Sequence, residues 1–178
     1  MAYVAEFELQ SPRGMLMLRG ESPAREAFSD KLGVGLPTEP NTVAEGIETC
    51  VLWLGPDQWL VMVPETSESV LQSSLATSVT GLHAAVTVVS DHFRVFKLFG
   101  PEVAEVLVQG CGLDIDPGRF GYGQCCRCAF ARTTAILRPL NAGGAYEVIV
   151  ESSYQYYLVG WFNRAVGPLV LNAGDGGE

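Results

Sequence analysis

Apolar and polar positions along this chain fall into short runs, broken by turn residues and joined by four stretches at helical spacing. The clearest run is 88–114. Phe93, Val95, Lys97 and Phe99 alternate with Arg94, Phe96 and Leu98. Both sets are largely apolar, which predicts a strand covered on much of both faces. Gly100 lets the backbone turn, and Pro101 is expected at the first position of a helix, where its missing N–H costs nothing. Val103, Val106 and Leu107 follow at i, i+3 and i+4 as a buried stripe. Glu102 and Glu105 place negative charge near the positive helix end. Gly110 and Gly112 suit a left-handed stop. The remaining elements are expected to cover this strand and helix.

The rest of the chain reads in the same terms. Residues 3–9 alternate as a strand, 12–14 turn, and 15–18 form a short apolar strand. Ser22 reads as an N-cap with Pro23 at the first helical position. Ala24, Ala27 and Phe28 make the buried side of that helix, and Gly33 stops it. Residues 33–46, rich in Gly and Pro, read as loop. Residues 49–54 and 58–63 form a hairpin about Gly55-Pro56-Asp57. Pro64 and Glu65 open a helix with Val70, Leu71 and Leu75 buried. Residues 84–89 form a strand that turns at Ser90-Asp91-His92. A loop spans 114–124, and 125–140 is strand-like throughout. Asn141-Ala142-Gly143-Gly144 turns into a return strand over 145–150. Ser152 or Ser153 caps a last helix with Tyr157, Leu158, Trp161 and Phe162 on its apolar face. Strand–turn–strand–helix thus occurs three times, over 49–77, 84–109 and 125–166. This predicts an α+β fold of antiparallel sheets with helices packed on them. The expected organisation is a single domain over 1–171, with a flexible glycine-rich tail over 172–178.

Composition narrows the function. The 178 residues are 48% hydrophobic, enough for a substantial core. The net charge of −9 argues against nucleic acid and anionic membrane surfaces as partners. No apolar run is long enough to span a bilayer. The first residues lack a basic segment followed by an apolar one, so no signal peptide is expected and the cytoplasm is the expected location. Only 17% of residues are charged, with a mean hydropathy of +0.20. Part of the apolar surface is therefore expected to cover a partner.

Candidate chemistry is sparse. Five cysteines, an odd number without a secretion signal, argue against a disulfide framework. Cys125 and Cys128 have Cys-x-x-Cys spacing, but no second pair follows to complete four zinc ligands. Neighbouring cysteines on a strand also point to opposite faces. Small buried residues explain Cys125, Cys126 and Cys128 better than metal or redox chemistry. Asp91-His92 lacks a nucleophile motif beside it and reads as a turn. Asp114 and Asp116 lack the spacing of a calcium-binding hand. Gly33-Val34-Gly35 and Gly121-Tyr122-Gly123 do not continue into a dinucleotide fingerprint. The aromatic run Tyr154, Tyr156, Tyr157, Trp161, Phe162 suits core or interface more than a cofactor ring. No catalytic, cofactor-binding or metal residue is assigned.

Several motifs carry a resemblance. They are Val89-Ser90-Asp91, the strand 93–99, Gly100-Pro101 with Leu107, Gly110-Cys111-Gly112-Leu113-Asp114, and then Phe120, Gly123 and Cys125. With Leu54-Gly55-Pro56-Asp57-Gln58-Trp59-Leu60 and Tyr146-Glu147-Val148-Ile149-Val150-Glu151-Ser152-Ser153, they resemble the gamma subunit family of heterotetrameric sarcosine oxidase, over roughly residues 45–165. That family resembles half of the folate-binding aminomethyltransferase fold of the glycine cleavage system. The resemblance implies a non-catalytic subunit in a bacterial complex with alpha, beta and delta subunits. Such a complex oxidatively demethylates sarcosine or a related N-methyl amino acid. It implies FAD, FMN and NAD in the alpha and beta subunits, tetrahydrofolate with alpha, zinc with delta, and no cofactor on this chain. Two features depart from the family pattern. Cys126 and Cys128 stand where a hydroxyl residue is usual, and the chain is short at its N-terminus.

Three alternatives remain beside that reading. They are a gamma-type subunit of an N-methylglutamate dehydrogenase, a stand-alone tetrahydrofolate-binding protein of the aminomethyltransferase type, and a metal or redox protein working through Cys125, Cys126 and Cys128. The expected partner interface comprises Trp53 and Trp59 on the hairpin and Tyr157 and Trp161 on the last helix.

Overall fold

In a computed structural model, residues 3–166 are described. The tail expected over 172–178 lies outside them. Contacts divide the chain into two compact units. Among the described residues, one comprises 3–11, Phe93–Tyr122 and 127–166; the other comprises Pro12–His92 and Gly123–Cys126. Among the described residues, each unit has its own five-stranded sheet, all of whose assigned pairings are antiparallel, and two helices. The α+β expectation holds.

The strands are β1 (Glu6–Leu9), β2 (Gly14–Gly20), β3 (Val43–Glu45), β4 (Cys50–Gly55), β5 (Gln58–Val63), β6 (Ala84–Val88), β7 (Phe93–Phe99), β8 (Cys126–Phe130), β9 (Thr133–Pro139) and β10 (Ala145–Glu151). The helices are α1 (Ser22–Leu32), α2 (Glu68–Ser78), α3 (Val103–Gly110) and α4 (Gln155–Val166).

The unit containing Pro12–His92 has strand order β3-β4-β5-β2-β6. Leu16 pairs with Val61 and Leu18 with Trp59, so these side chains share one face. They form a core with Phe28 of α1 and Leu75 of α2. The opposite face holds Met15, Leu52, Leu60 and Met62, also buried. Apolar residues on both faces explain why this segment reads as continuous runs rather than strict alternation. A local network ties the sheet to α2: Glu68 Oε2 accepts the Met15 N–H (3.1 Å) and the Ser90 hydroxyl.

The other unit has strand order β1-β7-β10-β9-β8. Its core is aromatic. Phe162 of α4 lies 5.1 Å from the Phe7 ring, 5.3 Å from Phe96 and 6.0 Å from Phe130. Gly100 has φ of +126°, and a Cβ there would lie 2.8 Å from the Val4 carbonyl oxygen, so the turn expected at this position requires glycine.

Several local expectations are corrected. Glu21, not Ser22, is the N-cap of α1, with no side-chain cap bond. Pro101 precedes α3 in a turn, and Glu102 is the N-cap; its carboxylate accepts the Val4 N–H at 2.6 Å, a contact 98 residues distant that local pattern does not encode. Gly110 is the last helical residue rather than a left-handed stop. A Cβ there would meet the Phe130 ring at 2.5 Å, so close packing is what requires glycine. Val70 is 74% exposed: Leu71 and Leu75 form the inward stripe of α2, and Val70 lies about 100° off it. The loop over 33–46 contains β3 at its end. The run 125–140 is a hairpin: Ala131 and Arg132, at φ of +45° and +67°, make its two-residue turn. Such turns favour Asn-Gly, so Ala-Arg left no turn signal. The 84–109 segment is not a hairpin unit, because β6 and β7 belong to different sheets.

Candidate functional site

Charge enters the Phe93-containing unit as a ladder across its sheet. Glu8 of β1 stands opposite Lys97 of β7, Lys97 opposite Glu147 of β10, and Glu147 opposite Arg138 of β9. Directly opposed residues in adjacent strands share a face, so charge alternates along one row over four strands. The row is buried at one end. Arg138 Nε donates to Glu147 Oε2 at 2.6 Å, with the two side chains 8% and 2% exposed. On the opposite face, the Tyr146 hydroxyl donates to the Ile115 carbonyl at 3.4 Å. Burial raises the phenol above its ordinary pKa of 10.0, and Asp116 pushes in the same direction.

The five cysteines stand as thiols in different settings. Cys125 is fully buried in the unit containing Pro12–His92, its Sγ 3.5 Å from the carbonyl oxygens of Thr42 and Trp53. It precedes β8 rather than lying in it. Cys111, at the end of α3, and Cys128, in β8, are half-buried in the other unit, and the Cys111 Sγ lies 3.4 Å from the Leu107 carbonyl oxygen. A hydrogen bond from Cys128 draws the Cys111 thiol from its ordinary 9.0 to about 6; burial opposes this, and a Leu113 backbone hydrogen bond assists it. Because the folded value is depressed, ionised Cys111 contributes stability that is fully present above about 9 and lost as pH falls through about 6. No group of three or more His, Cys, Asp or Glu side chains suited to a metal ion occurs among the described residues.

The four residues expected at an interface lie in unlike environments. Trp59 is 1% exposed, and its Nε1 donates to the Pro37 carbonyl at 2.8 Å. It is a core residue, which corrects the expectation of a surface role. Trp53, its cross-strand neighbour, is half-buried, and its buried Nε1 has no hydrogen-bond partner among the described residues. Trp161 packs edge-on against Phe130 (5.3 Å) and Phe162 (5.4 Å), so it supports the aromatic core. Tyr157 is 41% exposed and sits at the border of the α4 stripe rather than within it; Tyr156 is 84% exposed. The indole settings predict opposite responses. Trp59→Phe is expected to destabilise by about 1–3 kcal/mol, since the Pro37 carbonyl loses a buried donor. Trp53→Phe removes a donor without a partner and is expected to stay within about 1 kcal/mol of the parent. Urea unfolding of both variants checks this, and the reverse order would overturn the assignment.

Two features escaped the sequence reading. Ile47 is fully exposed beside a shallow groove of about 340 Å³, lined in part by Arg13, Glu48, Cys50 and Met62. An adjoining groove of about 430 Å³ shares Glu48 and Thr49 and reaches the exposed Val70. Ile47 between Glu45-Gly46 and Glu48, and Val70 one position off its helical stripe, were the only local signals.

Comparison with known proteins assigns the fold first. The chain superposes on the glycine cleavage system aminomethyltransferase T of Bartonella henselae with a TM-score of 0.67 and 12% identity, over 94% of this chain and 48% of that one. It therefore has the fold of about half an aminomethyltransferase. Residues 20–167 match the sarcosine oxidase, gamma subunit family, and the chain belongs to that family. The sarcosine oxidase subunit gamma of Corynebacterium sp. (strain P-1) is 30% identical over 141 residues, covering 79% of this chain and 68% of that relative. A chain of the heterotetrameric sarcosine oxidase from Corynebacterium sp. U-96, solved with pyrrole 2-carboxylate, superposes with a TM-score of 0.85 and 27% identity, over 90% of this chain and 83% of that one.

Proposed function

We propose that this chain is the gamma subunit of a heterotetrameric, flavin-dependent oxidase that demethylates sarcosine or a related N-methyl amino acid, and that it is not itself catalytic. The likeness to a chain of the heterotetrameric sarcosine oxidase, extending over 90% of this one, carries the reading. Its partners are then the alpha, beta and delta subunits. FAD, FMN, NAD, tetrahydrofolate and zinc belong to those partners, and this chain stabilises the assembly. The exposed Ile47 and Val70 beside the two grooves, and Tyr156 and Tyr157 on α4, are the apolar surfaces such a subunit would cover. Trp161→Asp is a poor probe of assembly, since it would disrupt the Phe130 and Phe162 packing as well.

The test is affinity purification of the tagged chain from its own cells, with native mass spectrometry and a flavin absorbance scan. Co-purification of larger chains carrying flavin, with sarcosine-dependent oxygen consumption, is expected. Tyr156→Asp and Ile47→Asp, both at exposed positions, are expected to weaken recovery of the larger chains at least tenfold without unfolding this one. A colourless monomer from the native extract would overturn the proposal.

A further inference from the structure

β6 ends the sheet of the unit containing Pro12–His92 and pairs with β2 alone. The register fixes where its backbone groups point. The Val89 N–H donates to the Met15 carbonyl at 2.8 Å, and the Gly20 N–H donates to the Asp57 carbonyl at 3.0 Å. Hydrogen-bonded pairs alternate along antiparallel strands, so Ala85 and Thr87 bond Arg19 and Met17 of β2. The N–H and C=O groups of Ala84, Val86 and Val88 therefore point away from β2, and no described residue bonds them. Ala85, Thr87 and Val88 are exposed. The other three sheet edges are blunted. β1 carries Glu6 and Glu8, and β8 carries Arg127. β3 is three residues long, carries Glu45, and its Val43 N–H donates to the Gly123 carbonyl at 2.8 Å. Charge, shortness and cover each keep an edge from pairing with another chain. β6 reads Ala84-Ala85-Val86-Thr87-Val88, without charge, proline or bulge, and its last three residues are β-branched.

Charge at the two ends of β6 selects the occupant. Glu21 follows Gly20, the cross-strand partner of Ala84, and Asp91 lies three residues beyond Val88. Both are exposed, and neither has an ion pair among the described residues. Arg19, opposite Ala85, is already paired with Asp57 at 3.3 Å. Antiparallel pairing of two copies along β6 would set the Glu21 end of one against the Asp91 end of the other, acid facing acid. A strand with basic flanks meets both ends favourably. We propose, on the basis of the assembly role, that β6 accepts an extended strand from a partner subunit, an apolar, β-branched segment flanked by Lys or Arg. The partner backbone exchanges hydrogen bonds with the N–H and C=O groups of Ala84, Val86 and Val88, and its strand continues the sheet beyond β6.

The experiment is hydrogen–deuterium exchange at residue resolution, on the isolated full chain and on the complex purified from its own cells through a tag on this chain. In the isolated chain the Val86 and Val88 amides are expected to exchange at least tenfold faster than those of Ala85 and Thr87, which β2 already bonds. In the complex the same two amides are expected to slow at least tenfold. Val86→Pro removes an outward N–H and no bond to β2, and Val88→Lys puts a charge on the edge. Each is expected to lower recovery of the larger chains at least tenfold while leaving the Ala85 and Thr87 amides as slow as in the parent chain. Larger chains that co-purify while Val86 and Val88 still exchange fast would overturn this proposal and leave the assembly role standing. Protection of both amides in a dimer of the isolated chain would overturn it in favour of a second copy. Failure of any larger chain to co-purify would overturn the assembly role and the strand addition together.

Discussion

Replacing Phe162 with alanine is expected to destabilise the chain by about 3–5 kcal/mol. The residue is fully buried, and the rings of Phe7, Phe96, Phe130 and Trp161 all lie within 6.0 Å of its own. Those rings come from β1, β7, β8 and α4, so one side chain joins three strands to the helix that covers them. Truncation removes its transfer free energy and opens a cavity that four rigid rings cannot readily fill. Phe162→Leu keeps much of the volume and is expected to cost clearly less. Tyr156→Ala on the exposed side of the same helix should stay within about 0.5 kcal/mol. Urea unfolding of the three variants checks the ranking. A loss below about 1 kcal/mol for Phe162→Ala would mean that α4 is held by something other than this cluster.

The second large effect concerns the Arg138–Glu147 pair. Glu147→Gln or Arg138→Met alone is expected to cost about 3–5 kcal/mol, because each removes the 2.6 Å buried ion pair of the charge that remains. The double variant Arg138→Met with Glu147→Leu removes both desolvation penalties and should recover most of the loss. A double-mutant cycle from denaturant midpoints measures the coupling. Additive losses would show that the two side chains act independently despite the 2.6 Å contact. Recovery would show that the pair adds little net stability over apolar side chains of similar size. A one-residue slip of β9 against β10 would put Arg138 opposite an apolar neighbour of Glu147.

Particular residues show how far local pattern reaches. The alternation over 93–99 and the turn at Gly55-Pro56-Asp57 marked β7 and the β4–β5 hairpin because strand faces repeat every two residues. Leu71, Leu75, Val103, Val106, Leu107, Leu158 and Phe162 lie on buried helical stripes for the same kind of reason. Motif order carried the chain to its family. By contrast, the Ala131-Arg132 turn was invisible because neither residue favours positive φ, and Trp53 and Trp59 read alike although only Trp59 reaches an acceptor.

By itself, then, the sequence determined most of the elements and most of their inward faces, which rest on neighbours a few residues apart, and, through the order of its motifs, the α+β class and the family. The tertiary structure alone decided that β6 and β7 enter different sheets and that Glu147 meets Arg138 at the buried end of a charge ladder. Those meetings depend on strand order and register. Both are settled by long-range burial and pairing, which no local period encodes.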